Sequence, residues 1–333
     1  MPAISRILVA IKDPRSISRP AVRKAAQIAT ACHAQLELFH CLTTPLYMDP
    51  VYEGQKGLKT TERELRQDAL RRLERIAATI RQPGLKITVT ADWDYPAYDA
   101  IVRRALRIKA DLIVASAHAG PHLLPGLLRL TDWELVRLSP VPLLLIKNPR
   151  PYHRPAVLVA VDPTHAFAKP LRLDAELLRA GSTISRSLRG SLHAVHAYAR
   201  LSMDAVPPRA QAITAYAIKR AKQQAKRTAE ADLNRALQGT GISRARRYVI
   251  GRHPIDAILQ ACRKSHSALV VMGAVSRSGL RRLLIGNTAE SILDELRCDV
   301  LVIKPKRFRN RVPRAVGAPR IAMSTPMGLP VYF

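Results

Sequence analysis

No apolar run in the 333 residues approaches the ~20 that a membrane span needs; the longest, such as PVPLLLI at 140–146, are strand-sized. The amino-terminal MPAISRILVAIKD reaches Lys12 and Asp13 before a hydrophobic signal region could form. It reads as a strand, and a cytoplasmic location is the expectation. Cysteine is sparse: Cys32, Cys41, Cys262 and Cys298 form no CxxC pair and no ligand spacing, so they read as reduced thiols rather than a disulfide or metal framework. No GxxxxGK[ST], GxGxxG or GxSxG occurs, which removes the usual signatures of P-loop NTPases, dinucleotide enzymes and serine hydrolases. Zinc-finger spacing, RNP-like patterns and basic residues interleaved with aromatics are also missing. Acid is scarce as well. The chain has 54 Lys and Arg against 25 Asp and Glu, a net charge of +29.

That excess is uneven. Residues 151–333 carry more than twice the net positive charge of residues 1–150, and 304–333 contain no acid at all. A field of this sign attracts polyanions through counterion release, although a solvated basic surface has the same composition. The basic, proline-containing segment 306–333 reads as a flexible tail with local order around Val331 to Phe333.

What is present is a duplication. With an offset of 157, Asp99 meets Asp256 and Lys147 meets Lys304 without a gap, and Leu112/Leu269, Val114/Val271 and Thr131/Thr288 are among the identities. RILVAIKDP at 6–14 pairs with AVLVAVDP at 156–163, and ELFHCL at 37–42 with AVHAYA at 194–199. The spacing divides the chain into a first domain over 1–148, a second over 153–305 and the tail, joined at the proline-rich KNPRPYHRP. In each copy, short apolar runs alternate with helix-length segments. The second reads as VLVAV, a helix over 168–187, LHAVHAY, a helix over 209–237, ARRYVI, a helix opened by Pro254, SALVVMG, a helix over Thr288 to Leu296, and CDVLVIK. Ile213, Tyr216, Ala217, Ala221 and Ala225 are the expected apolar side of the long helix. This alternation predicts two tandem doubly wound α/β domains, each with a five-stranded parallel sheet.

Ligands of such sheets bind beyond the carboxyl ends of the strands. In the second copy that rule selects Asp162 after the first strand, Ala197 near the end of the second, and the loop MGAVSRSGLRRLLIGNTAE over 272–290. Met272 and Gly273 begin this loop; Ser276, Arg277 and Gly279 follow; Gly286, Asn287 and Thr288 reach a predicted helix start. Exposed backbone N–H groups and a helix dipole suit a phosphate there. The same residues also suit a plain surface loop with Asn287 or Thr288 as a helix cap. In the first copy Ser116 replaces Gly273, and Arg129 and Leu130 replace Gly286 and Asn287, so bulk fills the space and no equivalent cradle is expected.

ILVAIKDP, the strand-end pairs His40–Cys41 and His196–Ala197, and VVMGAVSRSGLRRLLIGNTAESIL followed by CDVLVIK resemble the universal stress proteins, and two units in one chain resemble their tandem E-type members. The resemblance covers roughly 1–305. It implies an adenine nucleotide alpha-hydrolase-like fold and a pseudo-dimer of the two units within one chain, with homodimers as a further assembly. It also implies ATP binding through G-x2-G-x9-G-[ST]. That register falls on Gly273, Ser276, Gly286 and Asn287, so the second glycine and the final hydroxyl residue are replaced. By the same resemblance Asp162, Ala197 and Met272 would face the adenine and ribose.

Other constellations are weaker. His193 and His196 stand three apart on a strand, hence on opposite faces, which is poor metal geometry. His118 and His122 lie in a loop without an acidic partner. Trp93 and Trp133 read as core or domain-contact residues. KRAKQQAK at 219–226 reads as a solvated helix face. No metal site and no catalytic set can be named. The expectation is therefore a non-enzymatic stress-response protein with a nucleotide in its second domain, slow ATP hydrolysis remaining open. A basic nucleic-acid-associated protein is the alternative. A nucleotide-dependent ligase or transferase is disfavoured by the absence of an SGGxDS loop.

Overall fold

The computed structural model describes residues 4–17, 19–43, 46–48, 55–117, 131–164, 173–198, 211–274, 295–306, 308, 312–313, 321–324 and 330–332. Its contacts divide into two units, one holding 2–151 with 307–333 and the other 152–306.

In the first unit β1 (Arg6–Ile11), β2 (Gln35–Leu42), β4 (Ile87–Trp93), β5 (Leu112–Ser116) and β6 (Leu143–Ile146) form a parallel sheet in the order β4-β2-β1-β5-β6. In the second, β7 (Ala156–Val161), β8 (Ser191–Ala197), β9 (Arg247–Ile250), β10 (Leu269–Gly273) and β11 (Asp299–Ile303) take the matching order β9-β8-β7-β10-β11. Ile7, Leu8, Val9, Val157, Leu158 and Val159 are fully buried, as strands covered on both faces must be. The duplication predicted from sequence is therefore a duplication of topology. Residues 112–116 and 269–273 carry β5 and β10 at the 157-residue offset.

Helices form where the apolar spacing changes from continuous to one-sided. α1 (Pro20–Cys32), α2 (Gln55–Ile80), α3 (Ala97–Arg107) and α4 (Thr131–Leu138) serve the first unit; α5 (Leu173–Ser187), α6 (Gln211–Ala236) and α7 (Pro254–Ser265) serve the second. Pro254 occupies the first turn of α7, where its missing N–H removes no helical bond. α1 and α7 both stop on a left-handed residue, His33 (φ 55°) and His266 (φ 48°), whose N–H returns to the last carbonyls. On α6, Ala217 and Ala221 are exposed, and Ala229 and Leu233 form the buried stripe instead. A 26-residue helix spans about 39 Å and outruns the short strands it covers, so its apolar face need not continue along its length. The predicted helix from Thr288 lies outside the described residues, apart from Glu295 and Leu296 at its end.

Short stretches of the tail form strands, including one at the expected locus around Val331. β12 (Ile321–Ser324) pairs parallel with β3 (Leu46–Met48) and antiparallel with β13 (Pro330–Tyr332), a second sheet within the first unit. Strand pairing satisfies the backbone whatever the side-chain charge. Nearer the sheet, Arg103 on α3 forms a two-pronged pair with Asp94 at 2.7 Å and donates to the Pro313 carbonyl at 3.0 Å. Both side chains of this pair are buried, so the charge of each exists in the core only because of the other. Asp94→Ala should lower the unfolding free energy by about 3–5 kcal/mol, read from the urea midpoint, because it strands a buried guanidinium.

Candidate functional site

β7 is the strand at which the second sheet reverses direction. The chain passes from it to β8 and β9 on one side and then crosses to β10 on the other. Asp162 follows β7 directly, so it sits between the carboxyl end of β8, at Ala197, and that of β10, at Met272 and Gly273. The structure thus brings Asp162, Ala197, Met272 and Gly273 to one end of three adjacent strands. Ser276, Arg277, Gly279, Gly286, Asn287 and Thr288 lie outside the described residues, as do His118 and His122.

Asp162 is 4% exposed. Its backbone N–H donates to Asp174 Oδ2 at 2.8 Å, and its Oδ1 accepts the Thr164 hydroxyl at 3.2 Å. Asp174, in the first turn of α5, is itself buried. A helix amino terminus favours such an anion, and the hydrogen bond ties the helix start to the strand end. Two carboxylates are therefore held in a fixed arrangement at the mouth of the sheet.

The neighbouring imidazole is the feature sequence reading passed over as a site residue. His196 is 1% exposed, and neither ring nitrogen makes a well-aligned hydrogen bond among the described residues. Burial holds its pKa below 6.5, opposed by the Val161 carbonyl and by the charges of Asp162 and Asp174. Its counterpart is His40, which stands opposite Ile11 in the register as His196 stands opposite Val161. His40 Nδ1 pairs with the Ile11 carbonyl at 2.8 Å. Both histidines thus face the carbonyl at the end of the neighbouring strand, and His40 makes the better-aligned bond. The sequence signal was there, in the paired His-Cys and His-Ala, but not the difference in bonding.

Gly273 has a packing role. A Cβ there would come within 2.6 Å of Leu173 Cδ2, so its absence lets the start of α5 press onto the end of β10. Lys304, matched to Lys147 in the repeat, follows the Gly273–Ile303 pair by one residue, and burial lowers its amine to about 8. A lysine so placed adds a desolvated cation at the carboxyl end of β11.

The first unit presents a different mouth. Asp13 is exposed and caps its own turn, accepting the Arg15 N–H at 2.8 Å. Cys41 stands where Ala197 stands and donates to the Asp94 carbonyl at 3.0 Å, its thiol pushed up to about 12 by burial and Asp94. Ser116, in place of Gly273, is exposed. On β8, His193 turns away from His196 and bonds the Ser191 hydroxyl at 2.9 Å while stacking on Tyr248. Among the described residues no group of His, Cys, Asp or Glu could hold a metal ion, and no helix is long and apolar enough to cross a membrane.

Comparison with known proteins agrees with this architecture. The sequence profile of the Universal stress protein family matches residues 3–147 and again 155–304. Universal stress protein E of Escherichia coli K12 is 25% identical over 319 residues, 93% of this chain and 97% of the relative. Universal stress protein E of Photorhabdus laumondii is 24% identical over 315 residues, covering 90% and 95%. Among solved structures, a putative universal stress protein from Pseudomonas aeruginosa superposes with a TM-score of 0.62 at 25% identity, over 91% of this chain and 94% of that one.

Because His196 is neutral when folded and protonates more readily when unfolded, the unfolded chain takes up more protons below 6.5. Stability should therefore fall as pH drops through that value. His40 and His193, whose pKa values burial also lowers, add to the slope. His196→Leu should flatten it in part, measured as urea midpoints on either side of 6.5.

Proposed function

As a member of the universal stress protein family, the chain is, we propose, a stress-response protein whose second unit binds an adenine nucleotide and whose first unit does not. The observation that carries this reading is the contrast between the two histidines. His196 and the adjoining Asp162 are both buried, whereas His40 is only partly buried and Asp13 is exposed. Asp162 can accept from a ribose hydroxyl or an exocyclic amine, and His196 can donate from one ring nitrogen and accept at the other. Lys304 supplies positive charge toward a phosphate, joined in this proposal by Arg277 and the backbone around Gly286 of the 272–290 loop. We assign the nucleotide a signalling rather than a metabolic role, with occupancy altering the surface that partners meet.

ATP at a concentration of 100 times its Kd should raise the unfolding free energy by about 2.7 kcal/mol. A thermal-shift titration reads this directly. Asp162→Asn and Gly286→Arg should each shrink the shift, while Asp13→Asn in the first unit should leave it intact. An equally reduced shift with Asp13→Asn, or no shift in the parent chain, contradicts the reading.

A second reading, binding of polyanions, is favoured by the exposed stretch Lys219, Arg220, Lys226 and Arg227 on α6 and by the net charge of +29. Replacing these four by alanine should flatten the salt dependence of DNA binding, by about 0.9 in log–log slope for each phosphate no longer neutralised. An unchanged slope removes α6 from the binding surface.

A further inference from the structure

The four cysteines look unrelated in sequence, yet folding puts two of them in contact. Cys262 lies in the last turn of α7, and Cys298 stands immediately before β11. Their Sγ atoms are 3.4 Å apart. We propose that Cys262 and Cys298 form a reversible intramolecular disulfide, made by hydroperoxides and reduced by dithiols.

The backbone on either side of the pair is held in place by independent bonds. The Ser267 N–H donates to the Cys262 carbonyl at 3.1 Å, closing the end of α7. The Asp299 N–H donates to the Ala268 carbonyl at 3.1 Å, and the Tyr152 hydroxyl donates to Asp299 Oδ2 at 2.6 Å, which fixes the chain next to Cys298. A disulfide needs an S–S separation of about 2.05 Å, so side-chain rotation must close the remaining gap. Backbone bonds around both residues leave that movement to the side chains.

The two thiols are also unlike each other. Cys262 is half-buried, whereas Cys298 is 5% exposed. The bond with Cys298 and the Arg263 guanidinium hold the Cys262 thiol below its ordinary value, against the effect of burial. The same bond, burial and the Asp299 carboxylate push the Cys298 thiol up. The groups facing the pair are thus Arg263, Asp299 and, through Asp299, Tyr152. Cys262, the more exposed of the two and next to Arg263, is placed to attack, and the buried Cys298 is placed to resolve.

The Cys262 thiolate attacks the terminal oxygen of a hydroperoxide, breaking the O–O bond. Cys262 becomes a sulfenic acid, and the alkoxide or hydroxide released takes up a proton. Cys298 then loses its proton and attacks the sulfenic sulfur. The S–S bond forms as the S–O bond breaks, and hydroxide leaves as water with that proton. Two thiols are oxidised by two electrons, and the peroxide is reduced to an alcohol, or to water, plus one further water. A dithiol reverses the bond by exchange. The pair lies at the amino ends of β10 and β11, whereas Asp162 and Gly273 mark the carboxyl ends, so this chemistry stands apart from the nucleotide reading.

The full chain, reduced, desalted and exposed to near-stoichiometric hydrogen peroxide, should yield a peptide linking Cys262 to Cys298 when its free thiols are alkylated and it is digested without reductant. The intact mass should fall by about 2 Da and return with dithiothreitol. In Cys298→Ser, Cys262 should stop at a sulfenic acid that dimedone traps, without a cross-link. The proposal is overturned if both cysteines of the parent chain remain alkylatable, if the linked peptide contains Cys32 or Cys41 instead, or if Cys262 runs on to sulfinic acid with Cys298 untouched. The map on the parent chain decides the matter even where a variant folds poorly.

Discussion

A parallel sheet buried on both faces dictates the rest of this molecule. Its strands cannot turn back within the core, so every crossover helix leaves and returns at the sheet's ends, and the backbone polar groups of the turns gather there. In each unit the chain starts at the central strand, builds outward on one side and then crosses to the other. The reversal leaves a gap at the carboxyl ends of two neighbouring strands, the one place where the fold can admit polar chemistry without opening its core. Asp162 stands at that gap in the second unit, and Asp13 at its equivalent in the first.

Duplication then allowed the two gaps to diverge. In the first unit the polar groups are satisfied by the protein: His40 by Ile11, the Cys41 thiol by Asp94, Asp13 by its own turn. In the second, Asp174 fixes the backbone of Asp162, the Thr164 hydroxyl bonds its carboxylate, and His196 lies buried beside the Val161 carbonyl. The first unit uses its buried charge elsewhere, in the Asp94–Arg103 pair that reaches the tail at Pro313.

The architecture was legible because periodicity and repetition are properties of the chain itself. Val114 and Val271 are equivalent in sequence and in the sheet. Segment composition was a poorer guide for the long helix, where Ala217 and Ala221 face solvent, and it carried no sign of the pairing of β12 with β3 across more than 270 residues. Of the site, Asp162, Ala197, Met272 and Gly273 were found by a rule about strand ends, and folding does place them together. Gly273 could be identified, but its packing against Leu173 could not, since that depends on how closely α5 approaches β10. The state of His196 was equally hidden: hydrogen bonding at a buried ring is set by sub-ångström geometry, not by residue type. The meeting of Cys262 with Cys298, 36 residues apart, had no local signal either.

The claim that ties these observations together is asymmetry: one copy kept a ligand-accepting mouth and the other closed it. Isothermal titration of the full-length chain with ATP measures that asymmetry as a stoichiometry. The account predicts saturation at a single nucleotide per chain. Two equivalent nucleotides per chain, or no heat of binding at any concentration reached, would contradict it.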